Sequence, residues 1–181
     1  MSWRTFDVPQ DLREMLDKNE KILWAAKPKK APFVLKSLAA LIVIIPFLVM
    51  PIIVFWIAGP AIIHPFVIMF FLFWYGILSL IALTPLYNFL MWKNIWYALT
   101  NKRIIVRTGL IGIDYDVLEL ENIQQVNVNV GLVDKIFGTG TITLQSIGVK
   151  PLTLWAVEEP YKAQKMIRHA IEEAKSNRSP L

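Results

Sequence analysis

The chain has 181 residues, no cysteine and a formal net charge of +5; 55% of its residues are apolar and only 18% are charged. A soluble domain is roughly 45–50% apolar and about 25% charged. This composition excludes intrinsic disorder, a disulfide scaffold, and a metal or iron–sulfur site with cysteine ligands. The position of the apolar excess therefore decides the class of protein.

Residues 1–33 are predicted to form an amphipathic helix and then a strand. Three apolar residues recur at helical spacing on one face: Leu12, Met15 and Leu16. The run at 22–24 is typical of a strand, and a basic stretch with one proline follows at 27–30. A helix lying on the membrane surface is the alternative for residues 1–18, but their mixture of basic and acidic side chains disfavours it.

A run of 56 residues, from Ser37 to Trp92, contains no Lys, Arg, Asp or Glu. One membrane-spanning helix needs about 20 apolar residues, so the run suits two crossings. We predict a two-helix transmembrane hairpin over 34–92, with helices at about 34–57 and 66–91 and a turn near Gly59. The first helix is too long, and starts too far along the chain, for a cleaved signal peptide.

The charges that flank this run predict its orientation. Basic residues lie on both outer flanks: Lys27, Lys29, Lys30 and Lys36 before it, and Lys93, Lys102, Arg103 and Arg107 after it. The connecting turn has neither Lys nor Arg. The positive-inside rule therefore predicts a multi-pass protein of the cell (plasma) membrane with both termini in the cytoplasm.

Three prolines lie inside the predicted crossings: Pro46, Pro51 and Pro85. They indicate either static bends or a hinge that lines a transport path. Static bends are favoured because the only polar or ionisable groups found in the interior of the crossings are Ser79 and Thr84 of the second helix. Trp74 and Tyr75 fall in the middle of the second crossing. We expect them to pack on the first helix or to face lipid.

Residues 94–157 change to short segments in which apolar and polar residues alternate. Val126, Val128 and Val130 alternate with two asparagines, which is typical of a half-buried strand. Several such strands with regular turns predict an antiparallel sandwich or barrel. An amphipathic helix begins at Pro160, and a polar tail follows at 177–181.

Five stretches of this sequence are similar to one known family: 20–24, 96–110, 120–126, 138–142 and 152–154. They resemble the bacterial and archaeal pleckstrin-homology-like (PH-like) domain of membrane proteins, bPH2, in its YdbS/YdbT-like group (DUF304). The resemblance covers roughly residues 18–175. It implies a PH-like bent antiparallel barrel of seven strands over 93–176, capped by the C-terminal amphipathic helix. The expected fold class is a membrane α-helical hairpin plus an α+β or mainly-β cytoplasmic domain.

The resemblance brings no catalytic residues. Related eukaryotic domains often bind phosphoinositides through basic residues between their first two strands, and Lys102 with Arg103 and Arg107 are the nearest match. Adding the lysines beside the predicted crossings completes the lipid or phosphate candidates: Lys102, Arg103, Arg107, Lys29, Lys30 and Lys93.

Other chemistry finds little support in the sequence. His64 and His169 are expected on opposite sides of the membrane, and residues 138–140 lack the lysine of a phosphate-binding loop. Asp114 and Asp116 share one face of a predicted strand, where solvated side chains explain them more simply than an acid pair or a cation site. No segment is basic enough for nucleic acid. We therefore expect no enzyme, no cofactor and no metal.

Two functions remain for the chain. The favoured one is a non-catalytic, membrane-anchored module for protein interaction or self-assembly, with a partner strand added at Val126, Val128 and Val130 if these lie on a sheet edge. The alternative is binding or sensing of anionic lipid headgroups. The expected partners are the bilayer, a second copy or another membrane protein, and anionic lipid.

Overall fold

The computed structural model describes residues 8–59 and 64–176. They divide into two compact units, the first up to Phe33 and from Leu90 onward, the second Val34–Phe89. The helices are α1 (Gln10–Glu14), α2 (Lys30–Ala58), α3 (Pro65–Ala82), α4 (Thr84–Asn94), α5 (Leu132–Phe137) and α6 (Pro160–Ser176). The predicted polar tail and residues 60–63 of the predicted turn lie outside the described residues.

Seven strands of the first unit form two antiparallel sheets. The first sheet has the order β1 (Ile22–Ala26), β2 (Trp96–Thr100), β3 (Arg103–Thr108), β4 (Asp114–Glu119). The second has the order β5 (Ile123–Asn129), β6 (Thr139–Ser146), β7 (Leu152–Glu158). The strand from the N-terminal segment is thus a sheet neighbour of the first strand that follows the apolar helices.

The main core lies between the two sheets and α6. Apolar residues that alternate along the strands point into it, including Tyr97, Leu99, Ile104, Leu144 and Leu154. The predicted stripe on α6 completes this core with Ala163, Ile167, Ala170 and Ile171. The amphipathic C-terminal helix and its buried face are therefore confirmed.

The outer face of the first sheet is also covered. Ala25, Ala98 and Ile105 form a second buried cluster with Val8 and Leu12, which come from the N-terminal segment. β1, β2 and β3 consequently bury side chains on both faces. We call residues 8–20, which cover this face, the N-terminal clasp.

The structure adds a short helix, α5, that the sequence analysis does not predict. Asp134 is buried in α5 and accepts hydrogen bonds from the Gly131 amide at 3.1 Å and the Thr139 hydroxyl at 2.9 Å. Gly138 ends the helix in the left-handed conformation, with φ of 66°. Thr139, the next residue, is already the first residue of β6.

The second unit consists of α2 and α3 with the start of α4. Pro51 lies inside α2 and has no amide hydrogen to donate to the carbonyl of Phe47, four residues earlier. The indole of Trp74 donates to that carbonyl at 3.3 Å, and the Tyr75 hydroxyl donates to Leu48 O at 3.3 Å. Trp74 and Tyr75 thus pack on the preceding apolar helix, and the carbonyl that Pro51 leaves without its helical donor receives a hydrogen bond from α3.

In the part of the chain that the structure describes, one helix is long and apolar enough to cross a membrane. It runs over Pro65–Asn94, and a shorter apolar helical stretch runs over Ile44–Ile57. The predicted second helix is interrupted at Leu83, between α3 and α4. Pro85 explains the break, since it cannot donate the hydrogen bond that would continue the helix.

Trp74→Phe is expected to destabilise the pair of apolar helices, because it removes the donor to Phe47 O. Hydrogen bonds between helices in lipid are worth roughly 0.6 kcal/mol, up to about 1.7. In a Pro51→Ala background the same substitution should cost less, because the backbone amide gained by replacing the proline can donate to that carbonyl. Unfolding of the four proteins in detergent measures this coupling, and strictly additive effects would contradict it.

Candidate functional site

The first sheet separates the predicted lipid-binding cations into two groups. Trp96 pairs with Arg107 and Leu99 with Ile104, so the turn at 101–102 lies at one end of the β2–β3 hairpin. We call this the far end. The opposite end, from which the chain passes to α2 and to which it returns from α4, is the near end. Lys102 and Arg103 lie at the far end; Lys29, Lys30, Lys93 and Arg107 lie at the near end. A five-residue strand separates the ends by about 16 Å.

Arg103 at the far end binds a carboxylate of the N-terminal clasp. Its Nε donates to Glu20 Oε1 at 3.0 Å and its Nη2 to Glu20 Oε2 at 2.9 Å, and Nη2 also donates to Met15 O. The Glu20 side chain is fully enclosed and accepts from the buried Thr100 hydroxyl at 2.7 Å. Burial raises the pKa of Glu20, but hydrogen bonds from Arg103, the Asp17 amide and Thr100 outweigh it and leave the pKa below its ordinary value.

Arg107 at the near end makes a second pair with the clasp. Its Nε donates to Asp11 Oδ2 at 2.8 Å, and the Tyr115 hydroxyl donates to the same oxygen at 2.6 Å. The Arg107 side chain is only 11% exposed and also donates to Asn94 O. The hydrogen bond from Tyr115 lowers the pKa of Asp11, and Arg107 adds to this against the opposing effect of burial.

The lysines of the candidate set are engaged in different ways. Lys102 pairs with Asp17 at 3.2 Å at the far end, where both side chains are about half exposed. Lys29 pairs with Glu158 at 3.0 Å at the near end, and Lys30 lies 5.5 Å from the centre of the Trp92 ring. Lys93 offers its carbonyl to a further lysine, Lys27. The six candidates therefore do not converge on one phosphate site.

Lys27 is a near-end residue that the sequence analysis counts among the flanking charges but not among the lipid or phosphate candidates. Its Nζ lies 4.7 Å from the centre of the Trp92 ring and 5.3 Å from that of Trp96. Burial lowers the pKa of Lys27, and the positive charge of Arg107 lowers it further. The signal that could have identified Lys27 is the pair Trp92 and Trp96 at the end of the apolar run, because aromatic rings attract cations.

β5 is an outer strand of the second sheet, which meets the condition set for strand addition. The Val126 side chain is buried in the core, Val128 packs partly against it, and Val130 follows the end of the strand. The outer edge of β5 faces α6: Gln164 Nε2 donates to Val126 O at 2.8 Å and Lys175 Nζ to Ile123 O at 3.0 Å.

A groove of about 500 Å³ runs between β5 and the C-terminal half of α6. Its polar lining is formed by Gln124, Gln125, Asn127, Arg168, Glu172 and Lys175. β4, an outer strand of the first sheet, carries exposed carboxylates at Asp114, Asp116 and Glu119, which discourage strand addition there. The β5–α6 groove is thus the better candidate for binding an extended segment.

Within the described residues, no three His, Cys, Asp or Glu side chains are grouped to hold a metal ion. Asp114 and Asp116 are both exposed on β4, as the simpler interpretation expected. His169 is 72% exposed and lies 3.5 Å from Glu173 on the same helix.

Comparison with known proteins identifies the fold. The sequence model of the bacterial PH domain family matches residues 23–174, so the chain belongs to that family. The antiparallel sheets and helices described above are its PH-like fold. Such domains are generally non-catalytic modules that bind proteins or lipids.

Among solved structures, the chain is similar to a DUF1696 family protein with a pleckstrin-homology domain from Shewanella loihica PV-4. The identity is 20%, the TM-score is 0.36, and the match covers 42% of this chain and 70% of that one. A search of curated proteins gives no match.

Glu20→Gln is expected to lower the free energy of unfolding at pH 7 by about 2 kcal/mol, because Arg103 loses a charged acceptor. The pKa values of Glu20 and Asp11 lie below their ordinary values of 4.5 and 3.8, so the unfolded chain binds protons first as pH falls. The stability that these two carboxylates give the folded protein is fully present above about pH 5. It is lost as the pH falls through their pKa values in the folded protein.

Denaturant unfolding of the full chain in detergent, followed by tryptophan fluorescence between pH 7 and pH 3, measures both effects. Glu20→Gln should show a weaker loss of stability on acidification than the parent protein. Asp114→Asn, an exposed acid on β4, is the matched control and should keep the parent profile. A Glu20→Gln profile as steep as the parent profile would contradict a stabilising role for this carboxylate.

Proposed function

We propose that the chain is a non-catalytic, membrane-anchored PH-like module of the YdbS/YdbT-like type. It mediates protein interaction or self-assembly at the inner face of the membrane. The apolar segment 34–92 spans the bilayer twice, with both termini in the cytoplasm, and the PH-like domain includes β1 from the N-terminal segment as well as residues 93–176. An extended segment of a partner or of a second copy binds in the β5–α6 groove.

Anchoring is supported by the exposed surface of the apolar helices. Large apolar side chains of α3, such as Phe73 and Leu80, are about 70% exposed, and only 6% of the most apolar window of Pro65–Asn94 is buried. A soluble monomer rarely exposes such a continuous apolar surface. A lipid environment explains this surface and the absence of charge from Ser37 to Trp92 together.

The outer edge of β5 is the observation that carries the interaction function. Its carbonyls at Ile123 and Val126 accept hydrogen bonds from the flexible side chains of Lys175 and Gln164. A partner strand can replace these bonds by main-chain bonds, while the groove provides room for its side chains. Arg168 and Glu172 on α6 offer charges of both signs to such a segment.

Binding of anionic lipid headgroups is the second candidate function. Lys29, Lys30 and Lys93 at the near end support it, since a cation close to an anionic surface contributes about 1 kcal/mol. Lys102 and Arg103 lie at the far end and bind Asp17 and Glu20, so we assign them to holding the clasp. Protein interaction is favoured because the groove lies along an outer strand, where a partner strand can be added.

Native mass spectrometry of the gently solubilised full chain tests the choice. We expect an oligomer or one recurrent protein partner. Arg168→Glu, which reverses a charge in the groove, should weaken this assembly by about tenfold or more. Lys165→Glu reverses a charge on the same helix outside the groove and should leave it intact.

Equal effects of the two variants would contradict the groove as the binding site. A monomer that retains only anionic lipid would contradict protein interaction and favour the headgroup function.

A further inference from the structure

Two segments at the near end expose large apolar side chains. In the β3–β4 loop, Leu110, Ile111 and Ile113 are 37%, 100% and 47% exposed. In α5, Leu132 and Ile136 are 83% and 79% exposed. We call these five side chains the apolar rim.

Both segments are held to the residues through which the chain passes to the apolar helices. Asn94, the last residue of α4, donates from Nδ2 to Gly109 O at 3.0 Å at the start of the β3–β4 loop. Lys29, which directly precedes α2, donates from Nζ to Phe137 O at 3.2 Å at the end of α5. The positions of the rim are thus fixed relative to the two connections.

The backbone of each segment is also constrained. Gly109 has φ of 129°, and a β-carbon there would lie 2.0 Å from the carbonyl oxygen of Gly112, so the loop requires glycine. α5 is held by the buried Asp134 and ended by Gly138. The backbone of both rim segments is therefore held in the conformation that exposes these side chains.

The charges around the rim are mixed, with an excess of basic residues that fits an anionic lipid surface. Asp114 directly follows the loop, whereas Glu158 is paired with Lys29 and Asp11 with Arg107. The loop at 109–113 carries no charge, and Lys135 lies on α5 between the two exposed apolar side chains. Four more lysines lie at the near end: Lys27, Lys29, Lys30 and Lys93. Trp92 and Trp96 lie close to Lys27, and Trp92 also lies close to Lys30. This combination of apolar, aromatic and lysine side chains is typical of a membrane interface.

We propose that the apolar rim inserts into the lipid bilayer beside the anchor, so that the domain docks on the membrane surface. This inference rests on the proposed anchoring and adds a second membrane contact, made by the PH-like domain itself. The rim side chains enter the boundary between headgroups and acyl chains, and the near-end lysines face the phosphates. The far end and its turn at 101–102 then point away from the bilayer.

Single cysteines test this directly, because the chain has no cysteine of its own. Ile136→Cys and Ile147→Cys form a matched pair: their isoleucines are 79% and 74% exposed and lie beyond opposite ends of β6. Ile111→Cys adds the loop, and Phe73→Cys reports on the anchor. Each full-length variant is labelled with an environment-sensitive fluorophore in vesicles of phosphatidylcholine and phosphatidylglycerol containing nitroxide-labelled lipid.

We expect strong quenching at Ile111→Cys, Ile136→Cys and Phe73→Cys, at least about twofold above that at Ile147→Cys, because the rim reaches the acyl boundary. Rim labels quenched no more than Ile147→Cys, with Phe73→Cys quenched, would overturn the inference and leave the anchor standing. Rim labels that are shielded from aqueous iodide yet unquenched by lipid would also overturn it, because a protein would cover the rim. An unquenched Phe73→Cys would instead contradict the proposed anchoring.

Discussion

The antiparallel pairing of β1 with β2 is the constraint on which the rest of the molecule depends. Ala26, the last residue of β1, pairs with Tyr97, near the start of β2, so the chain must leave and return at the same end of the sheet. An inserted membrane segment can meet this condition only with an even number of crossings, because an odd number would place β2 on the other side. The two crossings that we propose are the smallest number that does so, and they agree with the orientation predicted from the flanking charges.

The same pairing explains why the N-terminal clasp is needed. β1 is an outer strand of the first sheet and is separated from β2 by the whole apolar segment, so local chain connectivity does not hold it in place. Leu12 covers the outer face of the sheet, while Asp11 and Glu20 bind arginines at its two ends. The two ion pairs are partly enclosed and share further hydrogen bonds, which makes them stronger than isolated surface pairs.

Local sequence patterns predicted helices and strands whose apolar residues form a clear run or repeat. They did not reveal which side chains bind each other when these are far apart in the sequence. The strand at Ile22–Ala26 followed from a short apolar run, and the helix from Pro160 followed from an apolar stripe. The six residues of α5 are too few to show a helical period. Arg103 and Glu20 are 83 positions apart, so the sequence showed a cation in a turn without showing the acid that binds it. In the sequence, the acidic residues of 8–20 appeared only as part of a mixture of acidic and basic side chains.

The two proposed binding surfaces occupy different parts of one small domain and are compatible. β5 runs from Ile123 near the far end toward α5 at the near end, and the groove follows its first five residues. On α6 the groove is lined by residues between 168 and 175, in the C-terminal half of the helix. These residues lie at least eight positions, or about 12 Å along the helix, from Pro160 at the near end. In the proposed arrangement, docking of the apolar rim on lipid leaves the groove facing away from the membrane. It also fixes the orientation of the groove, so that a partner that binds there loses less freedom.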